Sequence, residues 1–188
     1  MRVVAGEFGG RKLKAVPGNG TRPTTDKVKE ALFNIIGPYF DGGNSLDLYA
    51  GSGGLSIEGV SRGIDKAVLI DMSYQAIKTI KDNVSVTKQE EKFEIYKQEA
   101  SKALAILQQR EMSFALVYLD PPYAKQKILD NLNQMVELNL LDDGAIIVCE
   151  TDQQAQLPED LTDFELVRHQ DYGITVLTIY RYVGGNER

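Results

Sequence analysis

The stretch Leu119-Asp120-Pro121-Pro122-Tyr123 carries the most specific chemistry in this 188-residue chain. An exocyclic amino nitrogen of a nucleobase is a poor nucleophile, because its lone pair is delocalised into the ring. To attack an electrophilic carbon it must turn toward tetrahedral geometry, which acceptors holding its two N–H groups favour. Asp120 offers a carboxylate, and the carbonyl of Pro121 offers a second acceptor. Two successive prolines fix φ and remove two competing backbone donors, so the turn presents acceptors alone and holds them stiffly. Tyr123 can stack on the face of the base. No strong general base is needed, since the nitrogen becomes acidic once alkylated and can release its proton to Asp120 or to water. A proline-rich turn after a buried strand is common, and it acquires this meaning only with what lies upstream.

Upstream, Asp47-Leu48-Tyr49-Ala50-Gly51-Ser52-Gly53-Gly54 follows an apolar run and opens a helix-length segment, where glycines let the backbone turn tightly and approach a ligand. A dinucleotide fingerprint would place a third glycine at position 56, where Ser56 stands. Asp47 before the turn suits a ligand carrying a positive amine rather than a pyrophosphate. Asp71 ends the second apolar run, followed by Met72, and can accept from both hydroxyls of an adenosine ribose. The third run leads into Glu99-Ala100, where an acid can take an adenine amino group. Asp47, Asp71 and Glu99 at successive strand ends make a negative crevice that welcomes a sulfonium cation and repels the phosphates of a nicotinamide cofactor. The expected donor is therefore S-adenosylmethionine, leaving S-adenosylhomocysteine, held by Asp47, Tyr49, Ala50, Gly51, Ser52, Gly53, Asp71, Met72, Glu99 and Ala100, with Asp120 at the border. A base paired inside a duplex could not reach such a pocket, so the acceptor must be single-stranded, looped or flipped out.

The elements that must position these groups alternate strictly. Residues 45–49, 67–70, 93–96, 114–119 and 145–149 read as buried strands. Between them, residues 74–86 place Ile77, Ile80 and Val84 on one face, residues 103–107 do the same, and residues 128–140 repeat it with Leu129, Leu132, Met135, Val136 and Leu140. Strand, helix, strand in succession implies a parallel, doubly wound α/β sheet with helices on both faces. Ahead of it, residues 25–36 form an amphipathic helix capped by Thr24 or Thr25 and Asp26 and stopped at Gly37-Pro38. Residues 2–16, with Gly6, Gly9 and Gly10, suggest a basic, mobile hairpin, and residues 164–168 and 174–182 a closing one. The expected division is an N-terminal extension over residues 1–24 and a catalytic domain over residues 25–188.

Composition narrows the function classes. Apolar residues make up 43% and charged residues 26%, ordinary for a folded globular chain. No run of about 18 apolar residues exists and the start lacks a signal-peptide core, so a cytoplasmic protein is expected. The single cysteine, Cys149, and the single histidine, His169, cannot build a disulfide or a zinc site, so no metal is expected. Cys149 reads as a small core residue. The net charge of −6 argues at first against nucleic acid, but seven basic and two acidic residues fall within positions 1–29, leaving +5 there and −11 elsewhere. One end is an electropositive patch on an acidic body.

The quoted motifs, together with Gly10-Arg11-Lys12-Leu13-Lys14, Thr21-Arg22-Pro23-Thr24, Lys27-Val28-Lys29-Glu30-Ala31-Leu32-Phe33-Asn34 and Ser61-Arg62-Gly63, resemble the bacterial 16S rRNA guanine-N2 methyltransferases, the RsmD family, nearly end to end. The resemblance implies a class I, Rossmann-like methyltransferase fold with a mostly parallel seven-stranded sheet, S-adenosylmethionine as donor, and one guanine of 16S rRNA as target. It implies an assembled or assembling small subunit as substrate, and a monomeric enzyme is expected. Carried over, Asp47, Gly51 and Gly53 hold the methionine part of the donor, Asp71 the ribose, Glu99 the adenine, and Asp120, Pro121, Pro122 and Tyr123 the guanine. Arg11, Lys12, Lys14, Arg22 and Thr24 face the RNA. The family often has Glu where Asp71 stands and Asp where Glu99 stands. Rival readings are a DNA adenine-N6 methyltransferase, an enzyme acting on a protein glutamine amide, a non-catalytic RNA-binding assembly factor and a nicotinamide-dependent oxidoreductase. The absence of span for a target-recognition insert, the intact donor motifs and the missing third glycine weigh against them in turn.

Overall fold

The computed structural model describes residues 1–18, 24–122 and 126–184. Five parallel strands, β1 (Asn44–Asp47), β2 (Lys66–Asp71), β3 (Phe93–Lys97), β4 (Phe114–Leu119) and β5 (Leu141–Thr151), are completed by β6 (Phe164–Tyr172) and β7 (Thr175–Tyr182). The sheet runs β3-β2-β1-β4-β5-β7-β6, with β7 antiparallel to both of its neighbours. This is the seven-stranded class I methyltransferase arrangement. The winding reverses between β1 and β4, and a crevice opens outside the carboxyl ends of strands at such a switch point.

Side-chain alternation explains why both faces are covered. Leu46, Val68, Ile70, Val117, Leu119 and Ile147 point to one side, where α4 (Ala100–Gln109) and α5 (Ile128–Glu137) bury Leu104, Leu107, Leu132 and Met135 against them. Ala67, Leu69, Leu116, Tyr118 and Val148 point to the other. There α1 (Asp26–Ile36), α2 (Gly54–Ser61) and α3 (Tyr74–Val86) supply Phe33, Ile57, Val60, Ile77 and Ile80. Thr25 caps α1 by accepting from Val28 N–H at 3.2 Å. Cys149 is buried in β5 as expected. Several spans differ from the sequence pattern, β6 running on to Tyr172 among them. β1 stops at Asp47, because the glycine turn begins there; β5 is longer at both ends, because β4 and β7 flank it; and α5 ends at Glu137, before Asn139 takes a φ of +56°.

The N-terminal hairpin is reduced to one antiparallel bridge, Arg2 with Lys12, and the segment is docked rather than loose. Val3, Phe8 and Leu13 are buried among α1, α2 and α3. Gly6 lies so close to Ser61 that a Cβ would fall 2.0 Å from its carbonyl oxygen. Beneath the segment, the buried Glu58 carboxylate takes Arg62 Nε at 2.7 Å and Lys29 Nζ at 3.5 Å. It also accepts the N–H groups of Val4 and Ala5 at 2.8 and 3.1 Å. Four donors around one carboxylate satisfy a charge that would otherwise be costly to bury.

Candidate active site at the carboxyl edge of the sheet

The glycine turn is built by hydrogen bonds from its own backbone. Ala50 N–H donates to Ile70 carbonyl at 2.8 Å, Gly53 N–H donates to Ala50 carbonyl at 2.8 Å, and Gly51 N–H donates to Asp71 Oδ2 at 2.9 Å. Gly51 and Gly53 adopt φ of +58° and +83°, the left-handed region that side chains disfavour. Asp71 also accepts Ser73 N–H at 2.9 Å through Oδ1, so it locks the turn to the start of α3 while each oxygen keeps a second lone pair. Met72 and Tyr74 stand 65% and 71% exposed beside it, an uncovered apolar pair where a flat ring could lie. Tyr49 hydroxyl donates to Asn131 Oδ1 at 2.7 Å and ties the turn to α5.

Asp47 is the buried acid of the turn. Ser56 hydroxyl donates to its Oδ2 at 3.2 Å, while Oδ1 has no partner among the described residues. Ser56 thus replaces the glycine of a dinucleotide site with a donor aimed at the carboxylate. Burial, with a smaller contribution from Asp71, pushes the Asp47 carboxyl up to about 7.

Asp120 follows β4, and register alone brings a second acid to it. Leu119 pairs with Cys149 in the parallel ladder, so the next residues, Asp120 and Glu150, emerge side by side. The two acids stand close enough to act on each other's titration, and burial together with the charges of Glu150 and Asp47 raises Asp120 well above the usual carboxylate range. Glu150 is raised by burial and accepts from the Thr24 hydroxyl at 2.9 and 3.2 Å. Asp47, Asp120 and Glu150 have no Lys or Arg partner among the described residues, so the crevice holds an excess of negative groups. No group of three or more His, Cys, Asp or Glu among the described residues is arranged to hold a metal ion.

The sequence-derived site residues fare differently. Asp47, Tyr49, Ala50, Gly51, Ser52 and Gly53 share the turn, Asp71 at the end of β2 accepts from it, and Pro121 is buried while Pro122 is exposed. Both oxygens of Glu99 cap α4, accepting from Ser101 and Lys102 N–H at 2.9 and 3.1 Å, ahead of the buried Ala100. Tyr123 and Arg22 lie outside the described residues. Thr24 reaches the chemical end of the crevice rather than solvent. Arg11 stacks over Phe8 at 5.3 Å and donates to the carbonyls of Val86 and Thr87 at 3.0 and 2.9 Å, closing the end of α3. Lys14 pairs with Asp82 at 3.7 Å, and Lys12 is exposed. Arg11→Ala is therefore expected to cost about 1–2 kcal/mol of stability, with Lys12→Ala near neutral; equal urea midpoints for the two variants would contradict this.

Two residues carried no sequence signal. Glu150 ends a strand like any polar boundary residue, and Asn83 sits in mid-helix. Asn83 donates to Ser52 carbonyl at 2.8 Å and to Lys14 carbonyl at 2.9 Å, and accepts Lys14 N–H at 2.8 Å, joining the N-terminal segment to the glycine turn. Only the pairing of distant elements reveals either.

The chain matches the family described as Conserved hypothetical protein 95 over residues 1–181. It is 45% identical to the YlbH protein of Bacillus subtilis over 184 residues, covering 98% of this chain and 100% of that one. It is 33% identical over 184 residues to Ribosomal RNA small subunit methyltransferase D of Haemophilus influenzae, covering 96% and 93% of the two chains. The solved yhhF structure of Escherichia coli superposes with a TM-score of 0.83 at 30% identity, covering 98% of each chain. A match of that extent places the chain in the Conserved hypothetical protein 95 family, that of the RsmD-type methyltransferases its motifs resemble.

Proposed function

We propose that this protein transfers a methyl group from S-adenosylmethionine to the exocyclic N2 of a guanine in 16S rRNA, at the position numbered 966 in that RNA. The observation that carries the reading is the meeting of Asp120-Pro121-Pro122 with the glycine turn at the switch point, beside acids that have no Lys or Arg partner among the described residues. The donor's positive charges complement that excess, and Asp47 Oδ1, without a partner among the described residues, is an acceptor for its amine. Asp47, Gly51 and Gly53 would hold the methionine part, Asp71 the ribose, Met72 and the start of α4 at Glu99-Ala100 the adenine. When bound, the donor supplies an electrophilic methyl carbon.

The chain's own residues orient the acceptor. The Asp120 carboxyl and the Pro121 carbonyl accept from the N2 amino group and align its lone pair; Tyr123 stacks on the guanine; and the proton lost from N2 goes to Asp120 or to water. Residues 1–24 form the RNA-facing part, where Lys12 and Arg22 contact phosphate and Arg11 and Lys14 shape the surface. The acidic remainder discourages indiscriminate RNA binding. The relatives named for the small-subunit RNA support the substrate class. No helix among the described residues is long and apolar enough to cross a membrane. The reading includes a monomeric enzyme that acts on assembling subunits in the cytoplasm.

The test is incubation with methyl-labelled donor and small subunits lacking the modification, followed by mass-spectrometric mapping. A single N2-methylguanine is expected. Label on adenine or on ribosomal protein, or none at all, would overturn the assignment.

A further inference from the structure

Glu150 lies outside the motifs that point to the donor and the base, yet the fold buries its carboxylate against Asp120 and aims the Thr24 hydroxyl at it. Among the described residues the Glu150 carboxylate has the Thr24 hydroxyl and Asp120 beside it and no Lys or Arg, and hydrophobic side chains of similar size would fill the end of β5 without the cost of burying an acid. The arrangement makes sense if the charge acts on its neighbour.

We propose that Glu150, held by Thr24, is a positioning residue that shares one proton with Asp120 and thereby fixes which Asp120 oxygen faces the amino group. This rests on the reading of Asp120 as the acceptor of the guanine amine. The groups that face the pair are Asp47 from β1, Asp120 from the end of β4, Glu150 from β5 and Thr24 ahead of α1. During transfer the N2–methyl bond forms as the sulfur–methyl bond breaks, and sulfur keeps the electron pair. N2 gives up one proton. The carboxyl pair, already holding one proton between two oxygens, takes the second and passes it to solvent, so the acceptor is regenerated without a free buried dianion.

Two readouts separate this role from a merely structural one. Carboxyl infrared titration of the ligand-free protein is expected to show, besides the Asp47 signal that Asp47→Asn removes, a second acid protonated at neutral pH; this second signal is absent from Asp120→Asn and moved to lower pH in Glu150→Gln, where the like charge is removed. Single-turnover transfer to small subunits is expected to slow about 10- to 100-fold in Glu150→Gln, with S-adenosylhomocysteine affinity within about twofold. Thr24→Val, which keeps the acid, is expected to slow transfer about 3- to 10-fold, with Thr24→Ser restoring it; this pair decides the matter if Glu150→Gln folds poorly. An unmoved infrared titration, or a wild-type rate in both Glu150→Gln and Thr24→Val, would overturn the proposal. Wild-type protein that shows the shared proton but methylates no guanine would instead sink the function proposed above.

Discussion

Asp120→Ala is expected to lower the single-turnover rate of methyl transfer about a thousandfold while leaving affinity for S-adenosylhomocysteine within about threefold. The asymmetry follows from where the side chain sits. Asp120 begins the rigid turn after β4, next to Glu150, whereas the backbone and acid contacts available to a donor come from the turn after β1 and from Asp71. On the proposed roles, alanine removes the acceptor that aligns the amine and leaves the Pro121 carbonyl alone to hold one N–H. Asp120→Asn keeps an acceptor oxygen but cannot take the proton, so its loss should be smaller, about 10- to 100-fold. The check is rapid-quench transfer to unmodified small subunits, with donor binding by calorimetry. Near-normal turnover of the alanine variant would remove Asp120 from the chemistry, and a parallel loss of donor binding would move it to the donor site.

The second large effect has opposite signs for stability and for function. Burial holds Asp47 near 7, while an unfolded aspartate titrates near 4, so between those values the folded protein keeps a proton that the unfolded chain has released. The stability cost of Asp47 therefore grows as pH rises through that window and is fully present above it. Asp47→Asn removes the titration, and its amide oxygen can keep the Ser56 hydrogen bond, although its new N–H groups need acceptors. The variant is expected to gain about 1–3 kcal/mol over the wild type at pH 8, an advantage that shrinks toward pH 4. Donor affinity should fall about 10- to 100-fold, because the charge proposed to face the methionine amine is gone. Urea melts at pH 8 and pH 5 read the first effect. A pH-independent stability difference, or unchanged donor binding, would show that Asp47 is not the strained acid of the site.

These predictions concern residues of unequal legibility. Asp47, Gly51, Gly53, Asp71 and Asp120 stand out in the sequence because strand-to-helix turns need particular backbone freedom, and a polar group at the end of an apolar run needs a reason. Ser56 is visible as a departure from a glycine pattern, but the hydroxyl's target, Asp47, is visible only after α2 has folded back over β1. Arg11 reads as a phosphate contact from charge alone. In the structure its guanidinium closes the end of α3, because a helix terminus with unsatisfied carbonyls lies within its reach. Glu99 likewise spends both oxygens on the first turn of α4, a local demand that competes with any ligand.

The sequence by itself determined the alternation of strands and helices and the chemical character of the two turns, since these depend on periodicity and on residues within one or two turns of each other. Tertiary structure alone decided that Glu150 stands beside Asp120, that Thr24 reaches across to it, that Asn83 ties the N-terminal segment to the glycine turn, and that this segment is anchored over the buried Glu58. Each of these is a contact between residues far apart in the chain. The energies of such contacts come from burial and from strand register, and neither quantity exists until the sheet has assembled.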